Sequence, residues 1–284
     1  MRVIVTGAGG QLGFDIIKQL EKNGDEPFTA DLPEVDITDN ACVEAFFDKV
    51  KPEAVIHCAA YTNVDGAESN KEFCRAINRD GTLNVAKAAQ KHGAKLVYIS
   101  TDYVFDGKGT EPFETDSPKV PCNHYGVTKL EGEVAASENC EKCFIVRISW
   151  VFGINGKNFV KTMLRLAKER EELTVVCDQT GSPTYTPDLS ELICEMIKTE
   201  KYGVYHATNE NYCSWAEFAT EIMRLAGEKT KIIPVASSEY KTVAVRPLNS
   251  RMSKTSLDNA GFRRLPTWQD ALGRFLDELS ESSI

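Results

Sequence analysis

The feature that most constrains the fold of this chain lies near its N-terminus, where a short strand leads through a glycine-rich turn into a helix. The apolar residues 3–5 are followed at once by Gly7, Gly10 and Gly13, and an amphipathic stretch begins at Leu12. Gly7 permits a tight turn, Gly10 lets the backbone approach a ligand, and Gly13 allows the helix to pack closely on the strand. The pattern predicts the first unit of a parallel α/β sheet.

Strand-like and helix-like stretches alternate over the first half of the chain. Nearly uninterrupted apolar runs such as residues 3–5 and 55–56 are typical of parallel strands covered on both faces. We predict strands at 2–6, 27–31, 54–58, 95–100 and 144–148, and helices at 12–23, 40–51, 71–92 and 125–137. Because such alternation implies right-handed crossovers, the predicted fold class is α/β, with a Rossmann-type doubly wound parallel sheet and a smaller C-terminal α/β lobe.

An acidic side chain follows the second predicted strand. Asp31 lies 18 residues after Gly13, a spacing at which a carboxylate bonds the ribose hydroxyls of a dinucleotide. The start of the first helix offers unpaired N–H groups and a positive dipole end to phosphates. We therefore expect NADPH or NADH as cofactor, and Gly10, Gln11 and Leu12 near the pyrophosphate. No arginine stands beside Asp31 to bind a 2′-phosphate, so NADH should at least be tolerated.

The glycine trio by itself is weaker, since it would also fit a tight turn that binds nothing. Its position after the first strand, with a helix directly behind it and Asp31 after the second strand, favours the dinucleotide.

The second half of the chain is less regular and predicts two unequal lobes. Residues 1–150 are expected to form the dinucleotide-binding domain, which also takes in about 174–210. Residues 151–173 and 211–284 are expected to form the smaller, substrate-binding lobe. The elements predicted there are helices at 159–170, 188–198, 215–226 and 267–279, and strands at 174–178, 204–208 and 231–234.

Charge and cysteine content narrow the class of function. The formal net charge of −9 gives no reason to expect nucleic-acid or membrane binding, although a local basic pocket stays possible. Nine scattered cysteines do not predict a disulfide framework, and the Cys140–Cys143 pair has no second pair at zinc spacing. With no signal peptide and no apolar span apparent, the expected location is cytoplasmic.

A second motif carries the expected chemistry. Tyr125 and Lys129 are spaced so that the phenol and the ammonium lie on one helix face, a turn apart. A cation there should lower the pKa of the phenol, which suits a proton donor. Thr101 follows the fourth strand at the sheet edge where ligands bind, 24 residues before Tyr125. Such a pair and such a threonine occur by chance elsewhere, but their order after the glycine turn favours a catalytic site.

These residues stand in longer stretches that resemble one family. Residues 59–65 read Ala-Ala-Tyr-Thr-Asn-Val-Asp, 100–105 read Ser-Thr-Asp-Tyr-Val-Phe, and 147–152 read Arg-Ile-Ser-Trp-Val-Phe. Together with the motifs above and with 178–184 and 246–251, they resemble the dTDP-4-dehydrorhamnose reductase family of extended short-chain dehydrogenases over nearly the whole chain. The resemblance implies reduction of the C4 keto group of dTDP-4-dehydro-L-rhamnose to dTDP-L-rhamnose, a step of nucleotide-sugar biosynthesis.

The resemblance also implies roles for individual residues. Tyr125 would protonate the sugar oxygen, Thr101 and Asp102 would bind it, and Lys129 would hold the nicotinamide ribose. The further cofactor contacts implied are Asp36, Ile37, Ala59, Ala60, Tyr61 and Thr62. The substrate contacts implied are Val64, Asp65, Trp150, Arg246, Asn249 and Ser250. For Trp150 a core position, and for Arg246 a structural ion pair, remain open.

One family property is not carried over. Some members are dimers joined through magnesium held by glutamates, and the matching places here are Asp15, the 187–188 region and Glu278, of which the middle one does not align as glutamate. We therefore expect no metal, and a monomer or a homodimer.

Two other functions fit the same residues. One is another nucleotide-sugar reductase of the same superfamily, or an epimerase of that superfamily. An epimerase would return the hydride to its product. The other is a non-catalytic partner similar to the regulatory subunit of methionine adenosyltransferase. The presence of Thr101, Tyr125 and Lys129 favours an enzyme, since a regulatory subunit does not need them.

Overall fold

The computed structural model describes residues 1–281, and its centre is a six-stranded parallel sheet. In spatial order, the strands of this sheet are β10 (Gly203–His206), β5 (Cys143–Ile148), β4 (Lys95–Thr101), β3 (Ala54–His57), β1 (Arg2–Thr6) and β2 (Glu26–Ala30). The predicted doubly wound parallel sheet is confirmed.

Helices cover both faces of the sheet and bury two apolar layers. On one face α1 (Gln11–Lys22) and α8 (Thr186–Met196) pack over Val3, Val5 and Ile56. On the other face α2 (Asn40–Val50), α5 (Thr82–His92) and α6 (His124–Asn139) pack over Ile4, Val55 and Leu96. Alternate residues of each strand thus face opposite layers, which explains the uninterrupted apolar runs of the sequence.

The helix predicted at 71–92 is interrupted. Its first part is α4 (Lys71–Arg75), which a π-helical segment, Ala76–Gly81, joins to α5. A short helix that the sequence does not predict, α3 (Val64–Ser69), precedes α4. The sequence pattern could not show the π segment because one extra residue in a turn leaves the apolar period almost unchanged.

A third apolar cluster lies in the C-terminal half. It is built around Phe152, Phe218, Trp268 and Phe275. Besides α8, the helices of this half are α7 (Phe159–Ala167), α9 (Trp215–Ala226), α10 (Thr255–Ala260) and α11 (Trp268–Glu281). The strands are β6 (Val151–Phe152), β7 (Glu172–Val176), β8 (Thr180–Gly181), β9 (Thr184–Tyr185), β11 (Cys213–Ser214) and β12 (Lys231–Val235).

The strand predicted at 174–178 lies at 172–176 and does not join the main sheet. It pairs in parallel with β12, whereas β10 adds to β5 as expected. Residues 172–176 therefore pack with the third apolar cluster, in the C-terminal half of the chain. The sequence had instead predicted that residues 174–178 belong to the dinucleotide-binding domain. The division into two lobes stays a prediction, and residues 282–284 of the smaller lobe lie outside the described residues. No helix in the described part of the chain is long and apolar enough to cross a bilayer.

Candidate active site

A cavity of about 880 Å³ opens at the carboxyl ends of the central strands. Its wall takes in the residues that directly follow β1, β2, β3, β4 and β5. From the residues assigned to the cofactor by sequence, the wall contains Gly7, Gly10, Gln11, Leu12, Gly13, Asp31, Asp36, Ile37, Ala59, Ala60, Thr62, Tyr125 and Lys129. Ligands of open α/β sheets bind at this edge. The cavity is therefore the candidate active site.

The glycine turn forms one end of the cavity and leaves no room for side chains. Gly7 has φ +66°, and a Cβ atom there would lie 2.6 Å from Ala59 N. A Cβ atom on Gly13 would lie 2.1 Å from Gly7 O. Helix α1 has Gly10 as its N-cap residue, so no side chain caps it, and its first turn contains no acidic residue. Its N-terminus can therefore attract phosphate groups, and these features fit a dinucleotide.

Asp31 is fixed against this turn. Its carboxylate accepts hydrogen bonds from Ala8 N at 3.1 Å and from Gly9 N at 2.8 Å. A negative charge thus stands at the end of β2 on the cavity wall, where the sequence placed the adenine ribose.

A loop that the sequence did not single out closes over the same turn. Asn155 Nδ2 donates to Gly9 O at 2.8 Å, and Asn158 Nδ2 donates to Gln11 Oε1 at 3.1 Å. Gly156, between them, lines the cavity. Asn155 and Gly9 are 146 residues apart, so no local pattern of the sequence could indicate this contact.

Tyr125 stands in the first turn of α6, beside the hydroxyl of Thr101. Asn123 caps this helix, and its Oδ1 accepts a hydrogen bond from Gly126 N at 2.8 Å. Burial raises the pKa of Tyr125, the charge of Asp102 acts in the same direction, and the Thr101 hydroxyl lowers it. The spacing of Tyr125 and Lys129 predicted a lowered pKa for the phenol. This prediction is wrong, because burial outweighs the stabilisation of the phenolate. The phenol is protonated at neutral pH and can donate a proton.

Lys129 is buried one turn further along α6. Its Nζ donates to Ile99 O at 2.7 Å and lies 4.1 Å from the centre of the Tyr98 ring. Burial lowers the pKa of Lys129 to about 7, and the charge of Glu133 acts against this shift. The ammonium is therefore held at the cavity wall by strand β4, close to the point at which it loses its charge.

Asp102 is a buried carboxylic acid on the cavity wall. Its Oδ1 accepts a hydrogen bond from Thr101 Oγ1 at 2.9 Å, and its Oδ2 accepts none from the described residues. Burial raises the pKa of Asp102 from 3.8 to about 6, while the Ser250 and Thr101 hydroxyls lower it by less. A buried carboxylate without a cation costs free energy unless it is protonated.

Replacement of Asp102 by asparagine should stabilise the protein at high pH only. Because the folded-state pKa of Asp102 is raised, its stabilising contribution is present below the unfolded value near 4 and is lost as pH rises through about 6. We expect the unfolding free energy of Asp102→Asn, relative to the wild type, to increase by on the order of 1 kcal/mol from pH 5 to pH 7.5. Urea unfolding at both pH values measures this change. A difference that does not vary with pH would contradict it.

The predicted substrate residues separate into two groups. Val64 and Trp150 line the cavity. The Trp150 ring is stacked on Trp215 at 3.7 Å between ring centres, and its backbone has φ +51°. This conformation is costly for a bulky residue, so the surrounding packing must hold the ring in place.

The other four substrate residues, and Tyr61, do not line the cavity. Arg246 pairs with Asp65, at 2.7 Å between Nη2 and Oδ2. Asn249 Nδ2 donates to the carbonyls of Lys108 and Glu111, and Ser250 N donates to Thr180 O. Both are buried. Their roles towards the substrate stay predictions.

Asn78 is a further residue that the sequence interpretation missed. It lies in the π segment, its Oδ1 accepts from Tyr61 N at 2.8 Å, and its Nδ2 donates to Thr128 Oγ1 at 3.0 Å. The side chain thus joins the loop after β3 to the helix of Tyr125. π-Helical turns are frequent near functional sites, and such a turn could not be recognised from the apolar period.

The positions that match the family's magnesium ligands are engaged in other contacts. Asp15 Oδ2 accepts a hydrogen bond from Thr186 Oγ1 at 2.5 Å, Asp188 pairs with Arg274 at 2.7 Å, and Glu278 accepts from Tyr185 OH at 2.8 Å. Across residues 1–281, no three His, Cys, Asp or Glu side chains are grouped so that they could hold a metal ion.

The chain is similar to known proteins over almost its full length. A family model described as the RmlD substrate binding domain matches residues 1–281. The spore coat polysaccharide biosynthesis protein SpsK of Bacillus subtilis (strain 168) is 41% identical over 281 residues, which are 99% of each chain. A dTDP-4-dehydrorhamnose reductase of Aggregatibacter actinomycetemcomitans is 39% identical, over 95% of this chain and 97% of the relative.

A solved structure shares both the fold and much of the sequence. The crystal structure of a dTDP-4-dehydrorhamnose reductase from Bacillus anthracis str. Ames in complex with NADP has a TM-score of 0.96 and 45% identity. The match covers 98% of this chain and 99% of that one.

Proposed function

The chain belongs to the RmlD family, whose relatives include dTDP-4-dehydrorhamnose reductases, and on this basis we propose that it reduces the C4 keto group of dTDP-4-dehydro-L-rhamnose to give dTDP-L-rhamnose. The observation that carries the proposal is the position of Thr101, Tyr125 and Lys129 together on the wall of one cavity that begins at the glycine turn. The family consists of oxidoreductases that use a nicotinamide cofactor.

The residues of the cavity can perform the proton chemistry of this reduction. NADH or NADPH, when bound at the glycine turn, supplies the hydride. The phenol of Tyr125 donates its proton to the sugar oxygen as negative charge develops there. The hydroxyl of Thr101, once its proton turns from Asp102 to the substrate, can donate to the same oxygen and so stabilise the charge. Lys129, whose Nζ is held by Ile99 O, would bind the nicotinamide ribose of the cofactor.

We expect the two cofactors to be distinguished at Asp31. Its carboxylate, fixed by Ala8 N and Gly9 N, would repel the 2′-phosphate of NADPH. We expect Asp31→Asn, which removes the charge, to raise the ratio of kcat/KM for NADPH to that for NADH by on the order of tenfold, equal to about 1.4 kcal/mol. Steady-state kinetics with both cofactors measures the ratio. An unchanged ratio would place the 2′-hydroxyl away from Asp31.

The proposed activity is tested by cofactor oxidation. Purified protein is mixed with NADH or NADPH and with dTDP-4-dehydro-L-rhamnose made by the enzymes that precede this step. Cofactor oxidised one for one with dTDP-L-rhamnose formed would support the proposal. No oxidation in this mixture, with cofactor binding intact, would reject the substrate and direct attention to other keto-sugars.

The same assay separates the alternatives. An epimerase would convert a nucleotide sugar without net oxidation of added cofactor, and a regulatory subunit would bind nucleotide without turnover. The identity to relatives named as reductases favours reduction over both.

The expected setting of the enzyme is also a proposal. We infer a cytoplasmic protein, monomer or homodimer, that acts on a nucleotide sugar and does not bind nucleic acid. All nine cysteines are free, which suits a reducing compartment. The net charge of −9 gives no support to nucleic-acid binding.

A further inference from the structure

The side-chain oxygen and nitrogen of Asn123 form hydrogen bonds with two different parts of the chain. It stands two residues before Tyr125 and is 6% exposed. Its Oδ1 accepts a hydrogen bond from Gly126 N at 2.8 Å, and its Nδ2 donates to Val245 O at 2.8 Å. One side chain thus fixes the start of the Tyr125 helix and binds a segment 122 residues further along the chain.

The segment bound by Asn123, residues 244–246, also contacts a helix that contributes a residue to the cavity wall. Ala244 N donates to Asp65 Oδ1 at 2.9 Å, and Arg246 forms its ion pair with the same carboxylate. Asp65 lies in α3, directly after Val64, which lines the cavity. The segment is therefore one link between the helix of Val64 and the helix of Tyr125, beside the direct hydrogen bond from His124 N to Glu68 Oε1 at 2.8 Å.

Apolar burial contributes little to holding this segment. Val243 and Val245 are 74% and 64% exposed, and Ala244 is the small residue that is buried between them. The segment depends on its polar contacts, namely the bonds to Asp65, the bond from Asn123 and a weaker bond from Cys122 Sγ to Val245 O at 3.5 Å. A segment held by few contacts opens locally at low cost in free energy, so the loss of one bond should be felt by its neighbours.

We propose that Asn123 is a positioning residue for the reaction: it aligns Tyr125 with the substrate wall formed by α3 through its bond to residues 244–246. This inference rests on the proposed function, in which Tyr125 donates a proton to the nucleotide sugar. Asn123 itself does not line the cavity and touches no reacting atom. Its effect should therefore appear in the transition state, where the proton moves, rather than in binding of cofactor or substrate.

The two functions of the side chain can be separated by substitution. Asn123→Asp keeps an oxygen that caps the helix as well as asparagine does, but it directs a carboxylate oxygen instead of an N–H group at Val245 O. The cap is kept and the bond to the segment is lost. Asn63→Asp is a matched control, since Asn63 Oδ1 caps α3 through Gly66 N and the residue is exposed.

The test measures kcat, KM for the sugar nucleotide, the dissociation constant of NADH, and the melting temperature. For Asn123→Asp we expect kcat to fall by about tenfold, as for one lost buried hydrogen bond, with KM and NADH binding within about twofold. Asn63→Asp should keep the wild-type kcat. The inference is overturned if kcat of Asn123→Asp stays within twofold of the wild type, or if Asn63→Asp loses as much.

A second readout does not depend on turnover. In Asn123→Asp, the amide proton of Ala244, which donates to Asp65, should exchange with solvent at least several times faster than in the wild type. Wild-type protein without turnover would reject the proposed function, whereas unchanged exchange at Ala244 would reject the link through Asn123. The two failures are therefore distinct.

Discussion

Replacement of Tyr125 by phenylalanine should lower kcat by about 10² to 10⁴, the usual contribution of a positioned proton donor. The change removes only the phenol oxygen. The ring keeps its edge-to-face contact with Tyr103, at 5.5 Å between ring centres, and the helix cap at Asn123 is unaffected. Because the proton moves only in the transition state, KM and cofactor affinity should change little.

The matched control for this prediction is Tyr103→Phe. Tyr103 is a second phenol of the same cavity, in contact with Tyr125, and no role in proton transfer is assigned to it. Steady-state rates should show a loss of less than tenfold for Tyr103→Phe. Similar losses in the two variants would mean that the cavity, and not one phenol, determines the rate, and Tyr125 would no longer be the assigned proton donor.

The parts of the site that the sequence predicted share one property: their residues lie close together in the chain. Gly7, Gly10 and Gly13 fall in a single turn, and Tyr125 and Lys129 in a single helix. Thr101 is the last residue of β4, a strand that the apolar pattern already predicts. Parallel strands then bring these separate stretches to one edge of the sheet. A few short motifs were therefore enough to predict most of the residues that line the cavity.

The contacts that could not be predicted join residues that are far apart in sequence. Asp65 and Arg246 are 181 residues apart, and the family resemblance that assigned both to the substrate does not indicate that they pair with each other. Asn155 is 146 residues from Gly9. Strand β7 has the same pattern whether it joins the main sheet or β12, so its pairing also depends on tertiary packing.

A buried ion pair beneath the site should carry a large part of the stability. Arg147 and Glu133 are 1% and 4% exposed, and two bonds of 2.7 Å join the guanidinium to the carboxylate. Ser100 Oγ donates to the same carboxylate at 2.5 Å, and Arg147 Nη1 donates to Thr115 O at 2.9 Å. The pair therefore fastens helix α6 to strands β4 and β5, beside Thr101.

Glu133→Gln should lower the free energy of unfolding by about 3–5 kcal/mol, because it leaves the buried guanidinium without its counter-charge. The melting temperature should fall by roughly ten degrees. Glu131→Gln is the matched control on the same helix, since Glu131 pairs with Arg75 at 2.6 Å but both side chains are partly exposed. Such a pair contributes about 0–1 kcal/mol. Equal losses of unfolding free energy for the two variants in urea would mean that Glu133 is not the anchor of α6. The position of Tyr125 and Lys129 would then have to depend on the bonds of α6 to Asn78 and Val245 instead.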